Sequence, residues 1–281
     1  MTDDEEDVPM PATSPTWDPQ QYLRHAGHRA RAFVDLLAHI PDPPAAHPRV
    51  ADLGCGPGNV TRLLADRWPT ARITGYDNSP EMLDRARADH EGPTPGGGSL
   101  DFAAADVRTW APPEPYDLIV ANATFQWVPG HLDRFPVWVD ALAPGGTFAF
   151  QVPGNFDSPS HRLMRELAHS ARWRSRLGVT LRHADAVHTP VEYHAALADL
   201  GCEVDAWETT YVHLLQGEDP VLDWVRGTGL RPILTELGAE ADPFVAEYRT
   251  ALRAAYPATA HGTPFPFRRI FTVAHKPETS R

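Results

Sequence analysis

The segment Val50-Ala-Asp-Leu-Gly-Cys-Gly-Pro-Gly-Asn59 carries the most chemically suggestive spacing in the 281-residue chain. Glycines at 54, 56 and 58 let a backbone turn sharply and approach a ligand where any Cβ would collide. A helix beginning just beyond them aims its free amide groups at the same place. Asp77 follows Gly54 by 23 residues, the spacing at which a carboxylate ending the next strand accepts both hydroxyls of a ribose. Asp106 closes a third apolar run, where a carboxylate can accept from an adenine amino group. Taken singly, the glycines also read as an ordinary tight turn and either aspartate as a solvated strand end. Together and in this order they describe a nucleoside pocket.

The kind of nucleoside follows from the turn itself. Dinucleotide sites favour G-x-G-x-x-G, with the pyrophosphate on the helix N-terminus. Here the glycines read G-x-G-x-G and are preceded by Asp52. An acidic side chain at that point repels a pyrophosphate but suits the ammonium of a methionine moiety. The pattern therefore points to S-adenosylmethionine as the cofactor, with Asp52, Gly54, Gly56, Gly58, Asp77 and Asp106 around it. Asn122, just after a later strand, is placed to meet the methionine end.

Positioning these residues requires strands that alternate with helices. Apolar runs at 49–53, 71–76, 100–105, 116–121 and 147–152 read as strands. Helical patterns lie between them, the clearest over 79–89. That alternation implies parallel βαβ units and a doubly wound sheet. Residues 92–99, rich in Gly and Pro, read as a flexible surface loop. Upstream, residues 1–16 read as a disordered acidic and Pro-rich tail, and 20–40 as one or two helices ended by the Pro-rich stretch 41–48. Downstream, 162–171 and 191–200 read as helices, 203–214 and 269–275 as strands, and 219–256 as a helical cap around the turn at 227–232. The expected organisation is one domain over 17–281: N-terminal helices (17–48), a cofactor-binding core (49–153), a helical segment (154–200), and C-terminal strands (201–281) whose helical cap spans about 216–257.

Composition limits the classes of partner. The net charge of −12 argues against a nucleic-acid substrate, which needs a basic face. Two distant cysteines, Cys55 and Cys202, form neither a disulfide framework nor a metal-ligand spacing. No run of about 18 apolar residues reads as a membrane span, and residues 1–7 are acidic where a signal peptide is basic. These features point to a cytoplasmic protein, with a monomer favoured. Lys276 is the only lysine, so arginine richness is in itself a matter of codon bias. The histidines are scattered, and no metal site is expected.

The Asp52–Asn59 turn, Asp77, Asp106 and an antiparallel-looking last strand resemble class I methyltransferases over about residues 50–155. Further segments are similar to the trans-aconitate 2-methyltransferase family: Trp17-Asp-Pro-Gln-Gln-Tyr-Leu23, Ala121-Asn-Ala-Thr-Phe-Gln-Trp127, Leu163-Met-Arg-Glu166, Gly201-Cys-Glu-Val-Asp-Ala-Trp207, Trp224-Val and Thr228-Gly-Leu-Arg-Pro232. This chain departs from that pattern in its acidic tail, in the insert at 92–98 and over 171–190. It also has paired arginines in Phe267-Arg-Arg-Ile-Phe271. The resemblance implies a Rossmann-like, mostly parallel seven-stranded sheet with an antiparallel C-terminal strand and a helical substrate cap. It also implies methyl transfer to a carboxylate of trans-aconitate, giving a monomethyl ester and S-adenosylhomocysteine.

An acceptor of that kind is already anionic at neutral pH, so neither a general base nor any other catalytic side chain is expected beyond groups that align the reactants and exclude water. A polycarboxylate held by an acidic protein needs local guanidinium forks. The resemblance singles out Arg231 and Arg269, with Arg29 and Arg31 behind them and Arg268 as an extra. Tyr22 and Trp127 are the favoured pocket walls, followed by Phe125, Tyr211 and Trp224. Two other readings stay open: the same fold acting on another oxygen or carbon acceptor, and a non-catalytic S-adenosylmethionine-binding regulator.

Overall fold

The computed structural model describes residues 26–112, 114–178, 181 and 184–278. Tyr22 and the tail at 1–16 lie outside the described residues. So does the start of the N-terminal helical region, and nothing is described of the Arg29 side chain.

The chain runs through α1 (Ala26–His39), β1 (Arg49–Leu53), α2 (Thr61–Arg67), β2 (Arg72–Asp77), α3 (Pro80–His90), β3 (Gly92–Pro93), β4 (Ser99–Ala104) and β5 (Tyr116–Asn122). Then come α4 (Phe135–Asp140), β6 (Leu142–Pro153), α5 (Pro159–Ala168), α6 (Pro190–Ala198) and β7 (Glu203–Leu215). The helices α7 (Pro220–Arg226), α8 (Arg231–Leu237) and α9 (Ala241–Ala255) precede the last strand, β8 (Thr263–His275). The strands form one sheet in the order β3-β4-β2-β1-β5-β6-β8-β7. Strands β4, β2, β1, β5 and β6 are parallel, whereas β8 lies antiparallel between β6 and β7. The sheet is therefore Rossmann-like, with the expected antiparallel C-terminal strand.

Its central parallel strands β1, β5 and β6 are buried on both faces, as helices on either side require. Val50, Leu118, Val120 and Ala149 face a cluster with Phe33 and Leu36 of α1, Leu64 of α2 and Leu83 of α3. The alternate residues Ala51, Ile119, Phe148 and Phe150 face Phe125, Phe135, Trp138 and Tyr193. Successive strand side chains point to opposite faces, so each of these central strands feeds both clusters. A third cluster joins Met164 and Ala168 of α5 to Trp224, Ile233, Phe244 and Tyr248 of α7–α9. Two tyrosine hydroxyls stitch it: Tyr256 accepts from the Ser160 amide at 3.0 Å, and Tyr248 donates to the Ser160 carbonyl at 2.6 Å.

Two expectations are corrected. The sheet has eight strands rather than seven, because the Gly/Pro insert is not a loose loop. Its first residues form β3, paired antiparallel with β4, and the Thr94 hydroxyl donates to the Pro69 carbonyl. A Cβ on Gly98 would lie 2.1 Å from the Ala71 carbonyl oxygen, so this glycine serves close backbone packing. The last strand also begins earlier than 269. β6 pairs with it only over Arg269–His275, whereas β7 pairs along its whole length. Pro264 and Pro266 thus fall where β8 has one neighbour, the place a strand tolerates a missing N–H.

Candidate active site

Parallel strands end together, so the loops after β1, β2, β4 and β5 meet at one edge of the sheet. They surround a cavity of about 370 Å³, within the ordinary range for a small-molecule site. At one end lies the glycine turn. Gly54, Gly56 and Gly58 all have positive φ (76°, 56° and 78°). A Cβ on Gly54 would sit 2.4 Å from the Thr124 hydroxyl oxygen, and one on Gly58 would be 2.8 Å from the Phe102 ring. A Cβ on Gly56 would meet nothing within 4 Å. Gly56 therefore presents bare backbone to open space on the cavity wall, while Gly58 turns toward Phe102 and off that wall.

Asp77 holds this turn in place. Its Oδ2 accepts from the Gly56 amide at 2.9 Å and its Oδ1 from the Ser79 amide at 2.9 Å. One carboxylate thus ties the glycine turn to the start of α3, where Ser79 caps the helix by accepting from the Met82 amide at 3.4 Å. Burial raises the Asp77 carboxyl above its ordinary value, and the amides of Ser79 and Gly56 oppose that rise. Asp106, on the wall at the end of β4, is bonded through both oxygens to the Arg108 guanidinium. Those bonds hold its carboxyl below the ordinary value.

Asp52 behaves differently from its expected role. It has no exposed surface and does not line the cavity. Its Oδ2 accepts from the Thr61 hydroxyl at 2.7 Å, while its Oδ1 has no hydrogen-bond partner. Burial pushes its carboxyl up to about 7; the Thr61 bond opposes the rise and the charge of Asp77 adds to it. Direct contact with a ligand ammonium is not what this geometry offers, because Asp52 lies beneath the turn rather than in it.

At the other end, β5, β6 and β8 contribute Asn122, Gln151 and Arg269. Arg269 is almost wholly buried, lies over the Phe267 ring at 4.7 Å, and donates from Nη1 to Gln151 Oε1 at 3.0 Å. Gln151 Nε2 in turn donates to Asn122 Oδ1. Between these residues and the glycine turn, Ala123 takes a left-handed conformation (φ 55°). Such strain outside glycine is rare and concentrates at functional sites. The apolar walls include Trp127, Phe156, Trp224 and Phe267, with His161 of α5 and Thr228 beside them.

The structure thus brings together Gly54, Gly56, Asp77, Asp106, Asn122, Trp127 and Arg269. It does not bring Arg231 to the wall: this residue opens α8, half-buried, three residues past Thr228. Phe125 is also elsewhere, stacked on Trp138 in the core at 4.7 Å. Tyr211 is bonded to Asp35 at 2.5 Å beneath the Arg31 guanidinium. Arg268 pairs with Glu208 at 2.5 Å on the far face of β8 from Arg269. Sequence reasoning missed Gln151, His161 and Arg108. Gln151 did leave a signal, as the one amide in the apolar run Phe148-Ala-Phe-Gln-Val152.

Residues 50–146 match the family model described as "Methyltransferase domain". A trans-aconitate 2-methyltransferase of Streptomyces avermitilis is 75% identical over 268 residues, covering 95% of this chain and 99% of that protein. A protein of the same name from Rhodococcus jostii is 48% identical over 262 residues, covering 92% of this chain and 98% of its own length. Among solved structures, the YcgJ protein of Bacillus subtilis superposes with a TM-score of 0.54 at 16% identity, over 90% of this chain and 99% of that one. A Haemonchus contortus phosphoethanolamine N-methyltransferase in complex with S-adenosyl-L-methionine superposes with a TM-score of 0.52 at 15% identity, over 88% of this chain and 53% of that one. The structural likenesses speak to the fold. The sequence likenesses go further, since they cover 95% and 92% of the chain: the chain belongs to the trans-aconitate 2-methyltransferase family.

Proposed function

We propose that this chain transfers the methyl group of S-adenosylmethionine to a carboxylate oxygen of trans-aconitate, releasing the monomethyl ester and S-adenosylhomocysteine. The observation that carries the reading is Arg269, a buried cation on the wall of a cavity whose opposite end is the glycine turn with two strand-end carboxylates. The residues at that end suit the cofactor. Gly56 leaves a bare-backbone cradle, Asp77 and Asp106 offer acceptors to ribose hydroxyls and an adenine amine, and the unpartnered Asp52 oxygen favours a cationic ligand from below. When bound, the cofactor supplies an electrophilic methyl group on a sulfonium.

The remaining requirements fall to the protein. The acceptor carboxylate is ionised at neutral pH and needs no base. Arg269 offers a guanidinium fork, the geometry that matches a planar carboxylate. Trp127, Trp224, Phe156 and Phe267 displace water that would otherwise solvate the nucleophile. Alignment of oxygen, methyl and sulfur then accounts for the rate.

The test is turnover with labelled S-adenosylmethionine and a panel of di- and tricarboxylates. Trans-aconitate is expected to outperform acids lacking one carboxylate, and its neutral triester to be inert. Label transfer to another acid in preference assigns the acceptor elsewhere. Cofactor binding without transfer to any acid makes the chain a binding protein.

A further inference from the structure

The chain Arg269–Gln151–Asn122 has a polarity that follows from donor chemistry alone. A guanidinium has donors and no acceptor, so the Gln151 atom facing Arg269 Nη1 at 3.0 Å must be its carbonyl oxygen. The Gln151 amine is then the group directed at Asn122, and Asn122 must receive it on Oδ1. Asn122 is left with its N–H donors on the side that lines the cavity, and no described hydrogen bond uses them. Sheet register fixes the arrangement: Asn122 of β5 pairs with Gln151 of β6, and Arg269 of β8 pairs with Pro153, two residues further along β6. Gln151 is 1% exposed, and its amide is held between these two neighbours.

We infer that Gln151 is a positioning residue that turns Asn122 into a hydrogen-bond donor facing the acceptor's reacting carboxylate, its polarity set by Arg269. The inference rests on the proposed carboxylate methylation and adds how the oxygen is oriented. Arg269 attracts the polyanion, and the relay passes that charge's directionality to a second point, so the carboxylate is held at two places. A group presenting N–H bonds, such as the cofactor's ammonium, finds no acceptor on Asn122.

Two variants test it, each assayed for S-adenosylmethionine affinity by calorimetry and for kcat and KM with trans-aconitate. Gln151→Leu removes the relay and leaves the charge of Arg269. The expected result is a kcat lower by about 10- to 100-fold, the scale of one hydrogen bond to a charged group, with KM and cofactor affinity within about threefold. Gln151→Glu keeps the shape but accepts from both neighbours, so Asn122 must reverse and present Oδ1. It should lose at least as much kcat with the same cofactor affinity, and it carries the test if the leucine variant does not fold. Wild-type kcat in Gln151→Leu beside a defective Gln151→Glu would reduce the effect to neutralisation of Arg269 and overturn the relay. A loss confined to KM, or a loss of cofactor affinity, would also overturn it, the latter by placing Asn122 against the cofactor. Failure of the underlying reading is distinct: the wild-type protein would then methylate no carboxylate at all.

Discussion

Removing the Asp52 charge should change the stability of this protein measurably without touching the cavity wall. Asp52 is wholly buried, with one oxygen bonded to Thr61 and the other unpartnered, and its carboxyl moves from 3.8 up to about 7. The folded chain therefore binds this proton more tightly than the unfolded chain does. Stability from this group is fully present below 3.8 and is lost as pH rises through about 7. At about 1.4 kcal/mol for each tenfold change in proton affinity, the ionised form costs the ligand-free fold up to about 4 kcal/mol. Asp52→Asn keeps the shape and removes the charge. Its melting temperature should exceed that of the wild type at pH 8 by up to about 8 °C, at roughly 2 °C per kcal/mol for a chain of this size. The gain should shrink toward zero near pH 4. Differential scanning calorimetry across that range decides the matter. A difference that stays constant with pH, or an asparagine variant less stable at pH 8, would refute the argument that burial without a partner governs this carboxylate.

Asp77→Ala should weaken S-adenosylmethionine binding by about 1–3 kcal/mol, since it removes a candidate ribose acceptor and orphans the Gly56 and Ser79 amides; unchanged affinity by calorimetry in the folded variant would take Asp77 out of the site. Arg269→Ala should lower kcat/KM for trans-aconitate by about a hundredfold, with Arg269→Lys restoring only part of it. Arg231→Ala should stay within about threefold of wild type in the same assay, because Arg231 is not on the wall; equal losses from the two alanine variants would reinstate Arg231 as a carboxylate ligand. Gly54→Ala must place a Cβ 2.4 Å from the Thr124 hydroxyl at φ 76°, so denaturant titration should find it less stable by about 2–4 kcal/mol from overpacking and left-handed strain.

The amino-acid sequence by itself was enough to bring the glycine turn and two strand-end aspartates to one end of the cavity. Each of its signals is local: three glycines in five residues, an aspartate ending the next strand, another ending the one after. Parallel strands joined by helices bring their carboxyl ends to one edge whatever the rest of the chain does, so Gly56, Asp77 and Asp106 meet as a consequence of spacing. Even there the depth of Asp52 was not legible. Nothing in the motif says that the first residue of α2 reaches back to cover it.

The other end of the cavity depends on elements more than a hundred residues apart in the chain. Arg268 and Arg269 are adjacent and chemically identical. Only the pairing of β8 with β6 and β7 turns one onto Gln151 and the cavity and the other onto Glu208, because a strand sends successive side chains to opposite faces. The same register places Gln151 beside Asn122. Arg231 was attractive for its turn, yet α8 packs Ile233 and Leu237 into the cap core and leaves its first residue off the wall. Spacing along a chain determines which residues share a strand end; which cation faces the cavity is decided by long-range strand register and helix packing.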